Sequence, residues 1–456
     1  MSSSPSGEPA DDHIRKTVRR KVAWRVIPVL ALAYLMANLE RTNLGVASLS
    51  MNASLGLTTA TYGLAAGLYF VGYFVFEVPS NLAMARYGAR KWLARIAITW
   101  GLVAAATAAV QGPASLYAMR ILLGVAEAGL FPGVVFYFTF WFVPRDRAKM
   151  IALFGIGATV SGLAGPPLAG AILSLWPHGM LGMEDWRALF VIEGVPSVIV
   201  GLLIWKVLVD SPDQARWLTE TEKAWLAKHT SSSAESTASR NPLRVLADLR
   251  VLLLSLSYFT KNAGGYALIF FMPQIIQSFT VERGAHYSTL TISLLSAVPA
   301  VFAAGTAVAW AASSDRRQER RWHSAIPLSV AGMGIAWAAS ATNPVALLIA
   351  LTVATAGIGS VSGAFFQLPA AFLTGPAVAV GIATINATGN LGGFVGPYLF
   401  GILKDTTGSF LAGNLILAAL LFLGAAIVFL PMFRPKPKDA DATTSTKSDT
   451  SPADIA

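Results

Sequence analysis

The 456-residue chain contains no cysteine. That absence excludes disulfides, thiol nucleophiles and thiolate metal sites. Histidine is scarce: His13, His178, His229, His286 and His323 all stand outside the apolar runs. No buried imidazole metal site and no histidine proton relay is expected, and no cofactor other than a coupling ion. Charge is scarce as well. Charged residues make up 13% of the chain and apolar ones 54%, where a soluble domain carries about 25% charge. Ten-residue strands of alternating polarity, the mark of a membrane barrel, are missing too. What the chain has instead is a series of long apolar runs broken by short polar segments. In hydrocarbon every backbone polar group must be satisfied internally, so runs of this length are helices. The first follows a basic stretch from Arg15 to Lys21 and Arg25. It is too long for a signal-peptide core and reads as a retained helix.

The expected spans are 23–47, 62–84, 90–111, 115–142, 149–174 and 187–209, then 250–277, 288–313, 323–341, 344–366, 375–402 and 410–432. This predicts an all-α membrane protein of twelve transmembrane helices in two six-helix halves, 22–209 and 250–433. A central loop, 210–249, separates them, and tails cover 1–21 and 434–456. Residues 1–12, 435–456 and the serine-rich piece from Ser231 to Asn241 read as disordered or flexible. With both termini inside, 28 of the 34 lysines and arginines fall in cytoplasmic segments. Only Arg187, Arg283 and Lys404 fall outside, and Arg41, Arg120 and Lys261 lie within apolar runs. That bias fixes the orientation and the even helix count. It also explains the net charge of +10 without a nucleic-acid partner. The partner is the lipid bilayer.

An intramembrane charge costs about 2.5–3.5 kcal/mol even on lenient insertion scales, so each one retained needs a reason. Glu40 and Arg41 stand in the first span, with Arg41 roughly 24 Å above Arg25 at the helical rise. Arg120 and Glu127 stand in the fourth span, seven residues apart and so on one face. Arg120 lies roughly 7 Å below the outer edge, at the depth reached independently by Arg41, and Glu127 is about 10 Å deeper. Two guanidiniums at one level suit a carboxylate ligand. A desolvated Glu127 suits a proton carrier, and a nearby arginine would couple its protonation to ligand occupancy. Lys261 in the seventh span either meets the far end of the ligand or neutralises an acid across the halves. Glu77 and Glu193 are read as structural. Asn386 and Asn390, one turn apart, together with Gln367 and Tyr73, are candidate ligand contacts. Asn43, Asn262 and Gln367 would suit a hydroxy or sugar acid, and Phe366 and Tyr266 an aromatic one.

Two basic loops, from Ala85 to Lys91 and from Asp315 to Arg321, occupy equivalent places in the two halves. They resemble the repeated loop motif of the major facilitator superfamily, with Ala85 in place of its aspartate and Gln318 in place of its glycine. Parallel repeats of this kind are the architecture of that fold. From Val22 to Phe433 the chain further resembles the superfamily's anion:cation symporters, which include tartrate, phthalate and galactonate transporters. The vesicular glutamate and phosphate carriers are more distant relatives. The resemblance is carried by Leu39-Glu40-Arg41-Thr42-Asn43-Leu44-Gly45, by Arg120 through Gly133, by Glu193 to Pro196, by Ser314 to His323 and by Asn386 to Pro397. It departs at Glu40, where the branch has aspartate, and at Asn38, where it often has tyrosine.

The resemblance implies proton-coupled uptake of a small organic anion, a mono- or dicarboxylate such as a hydroxy, sugar or aromatic acid, by alternating access. Arg41 and Arg120 would hold the carboxylate, Glu40 and Glu127 would carry protons, and Tyr73 and Asn390 would line the site. It implies a multi-pass protein of the inner or plasma membrane, working as a monomer. The rival readings are export by proton antiport and, of another class, a non-transporting membrane sensor. An enzyme is not expected, because no nucleophile, metal cluster or phosphate loop is visible.

Overall fold

The computed structural model describes residues 8–176, 180–230 and 245–433. His178, the stretch from Ser231 to Asn241 and the tail beyond residue 433 lie outside the described residues. Helix occupies every expected span. The first half contains α1 (Glu8–Ser54), α2 (Thr59–Tyr87), α3 (Ala89–Ala106), α4 (Pro113–Glu127), α5 (Leu130–Trp141), α6 (Pro144–Leu175) and α7 (Asp185–Val207). A short helix, α8 (Glu220–Thr230), lies in the central loop. The second half contains α9 (Leu249–Val281), α10 (Thr289–Arg317), α11 (Arg321–Ala339), α12 (Pro344–Phe365), α13 (Pro376–Asn390), α14 (Gly392–Thr407) and α15 (Leu411–Val428). The fourth expected span is thus divided into α4 and α5, and the eleventh into α13 and α14. Ten helical stretches among the described residues are long and apolar enough to cross a membrane. The two spans outside that set are α9 and α11. Lys261, Asn262, Gln274 and Gln277 dilute the apolar character of α9, and Trp322, His323 and Ser324 that of α11.

Helix packing shows why α9 and α11 still belong to the twelve. In the first half α1 packs on α6 and α7, α3 on α7, and α2 on α4. In the second, α9 packs on α13, α14 and α15, α11 on α15, and α10 on α12. These are the same pairings displaced by six spans. The halves meet in two equivalent seams, α2 against α14 and α6 against α10.

Two regions read as tail and loop are structured. Glu8 to Asp12 are helical, and α1 runs unbroken through the basic stretch. Val18 and Val22 are buried. Two charges between them find partners: Arg19 bonds Asp146 at 3.2 Å and Lys21 bonds Glu222 of α8 at 2.7 Å. Arg25 stacks on Trp217 at 4.8 Å. The central loop therefore returns to dock on the first half. Burial works against ionisation of Glu222, yet the Lys21 ammonium and the Thr219 N–H hold its carboxyl below the usual range. The replaced glycine of the second basic loop is visible as well. Gln318 adopts φ 51° and donates its amide to the Asp315 carbonyl at 2.7 Å, which offsets part of the cost of a left-handed non-glycine residue.

The two ends of the molecule differ. On the face opposite the N-terminus the halves are locked. A Cβ on Gly63 would stand 2.4 Å from the Pro397 carbonyl oxygen, and one on Gly401 2.4 Å from that of Thr59. Only glycine permits so close an approach. Asp405 of α14 accepts the backbone N–H groups of Thr59 (3.1 Å) and Ala60 (2.8 Å) at the start of α2, so a carboxylate of one half caps a helix of the other. Tyr62 donates to the Phe270 carbonyl at 2.9 Å, and Gln274 to Ser48 at 2.9 Å. Toward the face where α1 begins, the α6–α10 seam widens. Gly170 lies tight against Ser293, a Cβ on Gly162 would stand 3.6 Å from that of Ala300, and one on Gly155 would meet open space.

Losing a capping carboxylate costs about 0.5–2 kcal/mol. Asp405→Ala is therefore expected to shift the population toward an opening of the locked face. Because the chain has no cysteine, spin labels on Ala114→Cys and Val345→Cys, at the exposed starts of α4 and α12, report that opening directly. A distance distribution extending to longer values than in the parent is the expected result.

Candidate functional site

α4 ends at Glu127 because Ala128 and Gly129 leave the helical conformation, with Gly129 at φ 89°. The freed Ala128 carbonyl is taken by Ser80 at 2.6 Å, and Ser80 is in turn fixed by the Trp92 indole at 3.0 Å. The break thus sets the Glu127 carboxyl at a helix terminus inside the protein, where it is buried. Glu127 forms an ion pair with Arg41 of α1, whose Nη2 donates to Glu127 Oε1. The Arg41 side chain keeps 16% exposure, against 2% for Glu127. The cation is therefore the more accessible member of the pair.

Arg120 is fully enclosed. Its Nε reaches the Ala65 carbonyl at 3.4 Å, and its Nη2 has no hydrogen-bond partner. Both guanidiniums lie over one ring: Tyr69 is 5.0 Å from that of Arg41 and 5.2 Å from that of Arg120. The depth read from chain distance for the two arginines corresponds to this shared ring. Tyr73 is 5.7 Å from Arg41 and joins the cluster. Tyr69 was not singled out from the sequence, where aromatics in apolar runs read as core. The available signal was that Tyr62, Tyr69 and Tyr73 recur at spacings of seven and four, on one face of α2.

Lys261 stands on α9, in the second half. Its ammonium lies 5.0 Å over the Tyr258 ring and 3.2 Å from Asn262 Oδ1. No carboxylate pairs with it among the described residues. Asn262 donates to Asn390 Oδ1 at 3.3 Å, which ties α9 to the end of α13. Asn386 lies half-buried one turn earlier. Tyr266 connects the two sides. Its ring packs on Phe70 at 4.3 Å, and it lies within electrostatic reach of both Arg41 and Lys261.

Two candidates sit elsewhere. Glu40, read from the sequence as a proton carrier beside Arg41, is buried and turned away from it. It accepts from Trp100 of α3 at 3.2 Å and from Ser197 of α7 at 2.8 Å. Adjacent residues on a helix stand about 100° apart, so Glu40 and Arg41 cannot share a direction. Gln367 is exposed at the end of α12, and its amide turns back to the Gly363 carbonyl at 2.9 Å. Glu193, read as structural, accepts from Asn43 of α1. Among the described residues the region between the halves therefore holds three cations, Arg41, Arg120 and Lys261, and one carboxylate paired with them, Glu127. The arrangement carries an excess of positive charge over negative, with its carboxylate already engaged by Arg41.

Residues 30–397 match the family described as Major Facilitator Superfamily. A protein named "Putative tartrate transporter" from Agrobacterium vitis is 45% identical over 94% of this chain and 94% of its own length. A "Quinolone resistance transporter" from Acinetobacter baumannii is 38% identical over 91% of this chain and 95% of its own. Among solved structures, a bacterial homologue of the human lysosomal transporter Spinster, in an inward-facing and unoccupied conformation, superposes with a TM-score of 0.73. It is 19% identical and covers 94% of this chain and 97% of that one.

If the shared ring helps to hold two guanidiniums, its face matters and its hydroxyl does not. Tyr69→Phe should bind ligand as the parent does. Tyr69→Leu should bind about tenfold more weakly, the order of one desolvated cation–π contact. Ligand-induced thermal stabilisation of the purified protein measures both.

Proposed function

Since the chain belongs to the Major Facilitator Superfamily, we propose that it is a proton-coupled importer of a small dicarboxylate of the tartrate type, working by alternating access. The observation that carries this reading is the excess of two positive charges at the seam. A dianion neutralises it, and the cations stand on both halves, so one ligand with a charge at each end can bridge them. Relatives named for tartrate point to the same chemistry. The lysine and arginine bias supports a cytoplasmic position for the face where α1 begins. On that reading the widening of the α6–α10 seam there fits an inward-facing conformation.

In the proposed cycle the protein opens to the outside, and one carboxylate of the substrate takes Arg41 and the free Nη2 of Arg120. Glu127, displaced from Arg41, is a buried carboxyl without a cation and takes a proton. The second carboxylate reaches Lys261, which draws the halves together. After the protein opens inward, Glu127 loses its proton, re-forms its pair with Arg41 and expels the substrate. Glu127 and the substrate thus exclude one another from Arg41 unless a proton is bound, and that exclusion is the coupling.

A second reading has a specific observation in its favour: the relative named for quinolone resistance is 38% identical. Export by proton antiport would show as substrate accumulation in inside-out vesicles, against accumulation in right-side-out vesicles for import.

Uptake of labelled tartrate into proteoliposomes under an inward proton gradient tests the proposal. Arg120→Gln should reduce uptake to background while the protein remains folded, and normal uptake would refute its role. Lys261→Gln should weaken tartrate binding roughly tenfold, the order of one charged hydrogen bond. It should leave a monocarboxylate hydroxy acid almost unaffected.

A further inference from the structure

Behind Arg41, on the opposite side of α1, lie two carboxyl groups that the cycle above does not use. Glu40 and Asn43 stand one turn apart on α1 and meet Ser197 and Glu193, one turn apart on α7. Ser197 Oγ donates to Glu40 at 2.8 Å, and Asn43 Nδ2 donates to Glu193. The Oε2 atoms of Glu40 and Glu193 are both buried and have no hydrogen-bond partner. The groups that face Glu40 are Trp100 of α3, Ser197 and Glu193 of α7, and Glu127 of α4. Asn43 of α1 faces Glu193. No lysine, arginine or histidine contacts either carboxyl among the described residues. Two ionised carboxylates so close, in hydrocarbon and without a cation, would carry a desolvation cost that proteins avoid by protonating the group.

A polar strip leads from Glu193 along α1 to the half-buried Thr42. The Thr42 hydroxyl lies 3.4 Å from Asn43 Oδ1, and Thr42 is only half-buried. The glycine at 165 on α6 keeps that strip open, since a Cβ there would stand 2.6 Å from Thr42 Oγ1. The Asn43 amide also serves either state of its neighbour. Its Nδ2 donates to an ionised Glu193, and the flipped amide presents Oδ1 to a protonated one.

We propose that Glu193 holds and releases a coupling proton at a position remote from the substrate, through the strip Asn43–Thr42. This rests on the reading of the chain as proton-coupled, and extends it from the Arg41–Glu127 pair to the rear face of α1. In one state a proton from the water side binds a Glu193 carboxylate oxygen. In the other it returns to water on the opposite side, and the seat of α1 against α7 changes between a neutral acid and a carboxylate.

Two measurements on the full chain decide it. The first is the infrared carbonyl stretch of protonated carboxylic acids in the purified protein during a pH titration, read without substrate. The proposal expects one such band to be missing from Glu193→Gln. Identical spectra in parent and variant would show Glu193 ionised throughout and overturn it. The second is the number of protons entering with each tartrate, from a trapped pH dye and labelled substrate. Glu193→Gln should lower that number by about one, with tartrate-induced thermal stabilisation showing that the variant is folded. An unchanged number would make Glu193 structural and overturn the proposal. Thr42→Val, which removes only the hydroxyl, is expected to slow the pH response of the Glu193 band, and an unchanged rate would remove the strip as its route. Absence of any tartrate uptake by the parent would instead refute the substrate reading, and the infrared result would still decide the protonation of Glu193.

Discussion

The arrangement of the molecule depends on keeping cations desolvated in its middle. Arg41, Arg120 and Lys261 each carry a charge that hydrocarbon disfavours, and among the described residues one carboxylate, Glu127, pairs with them, through Arg41. The rest is done by weaker means: the Tyr69 ring between the two guanidiniums, the Ala65 carbonyl, the Tyr258 ring and the Asn262 amide. On the proposed reading, such a site is incomplete without an anion. The incompleteness is the binding energy it offers, because the ligand satisfies groups already placed and already stripped of water.

The two-half architecture turns that local deficit into a change of access. The arginines and Glu127 belong to the first half and Lys261 to the second. Filling the site therefore acts across the α2–α14 and α6–α10 seams. One end of those seams is locked by backbone contacts at Gly63 and Gly401 and by the Asp405 cap on α2, and the other is splayed at Gly155. Only the α2 cap among these contacts involves a charged group, so the locked end is held mainly by packing and the site mainly by charge. Rocking of rigid halves exchanges one for the other.

Much of this was legible in the chain itself, for identifiable reasons. Twelve spans followed from apolar runs together with the lysine and arginine bias, and the common level of Arg41 and Arg120 followed from the fixed rise of a helix. Pairing was harder to read. Glu40 and Arg41 are neighbours in sequence, and a reading by depth put them together, whereas rotation about the helix sends one to α7 and the other to the seam. Gln367 stood just past the expected end of its span, and its amide turns back onto the Gly363 carbonyl instead of toward the seam. The helical start at Glu8 was hidden by its charges, whose partners Asp146 and Glu222 are more than a hundred residues away. Tyr69 was hidden by its chemistry, since an aromatic in an apolar run looks like core until a cation is seen on its face.

The central claim is that a substrate carboxylate replaces Glu127 on Arg41 and that Glu127 then takes up a proton. Calorimetric titration of tartrate into the purified protein, in buffers of equal pH and different ionisation enthalpy, measures protons taken up on binding. The account predicts net proton uptake near neutral pH that is lost in Glu127→Gln. Binding without proton uptake in the parent, or unchanged uptake in that variant, would contradict it.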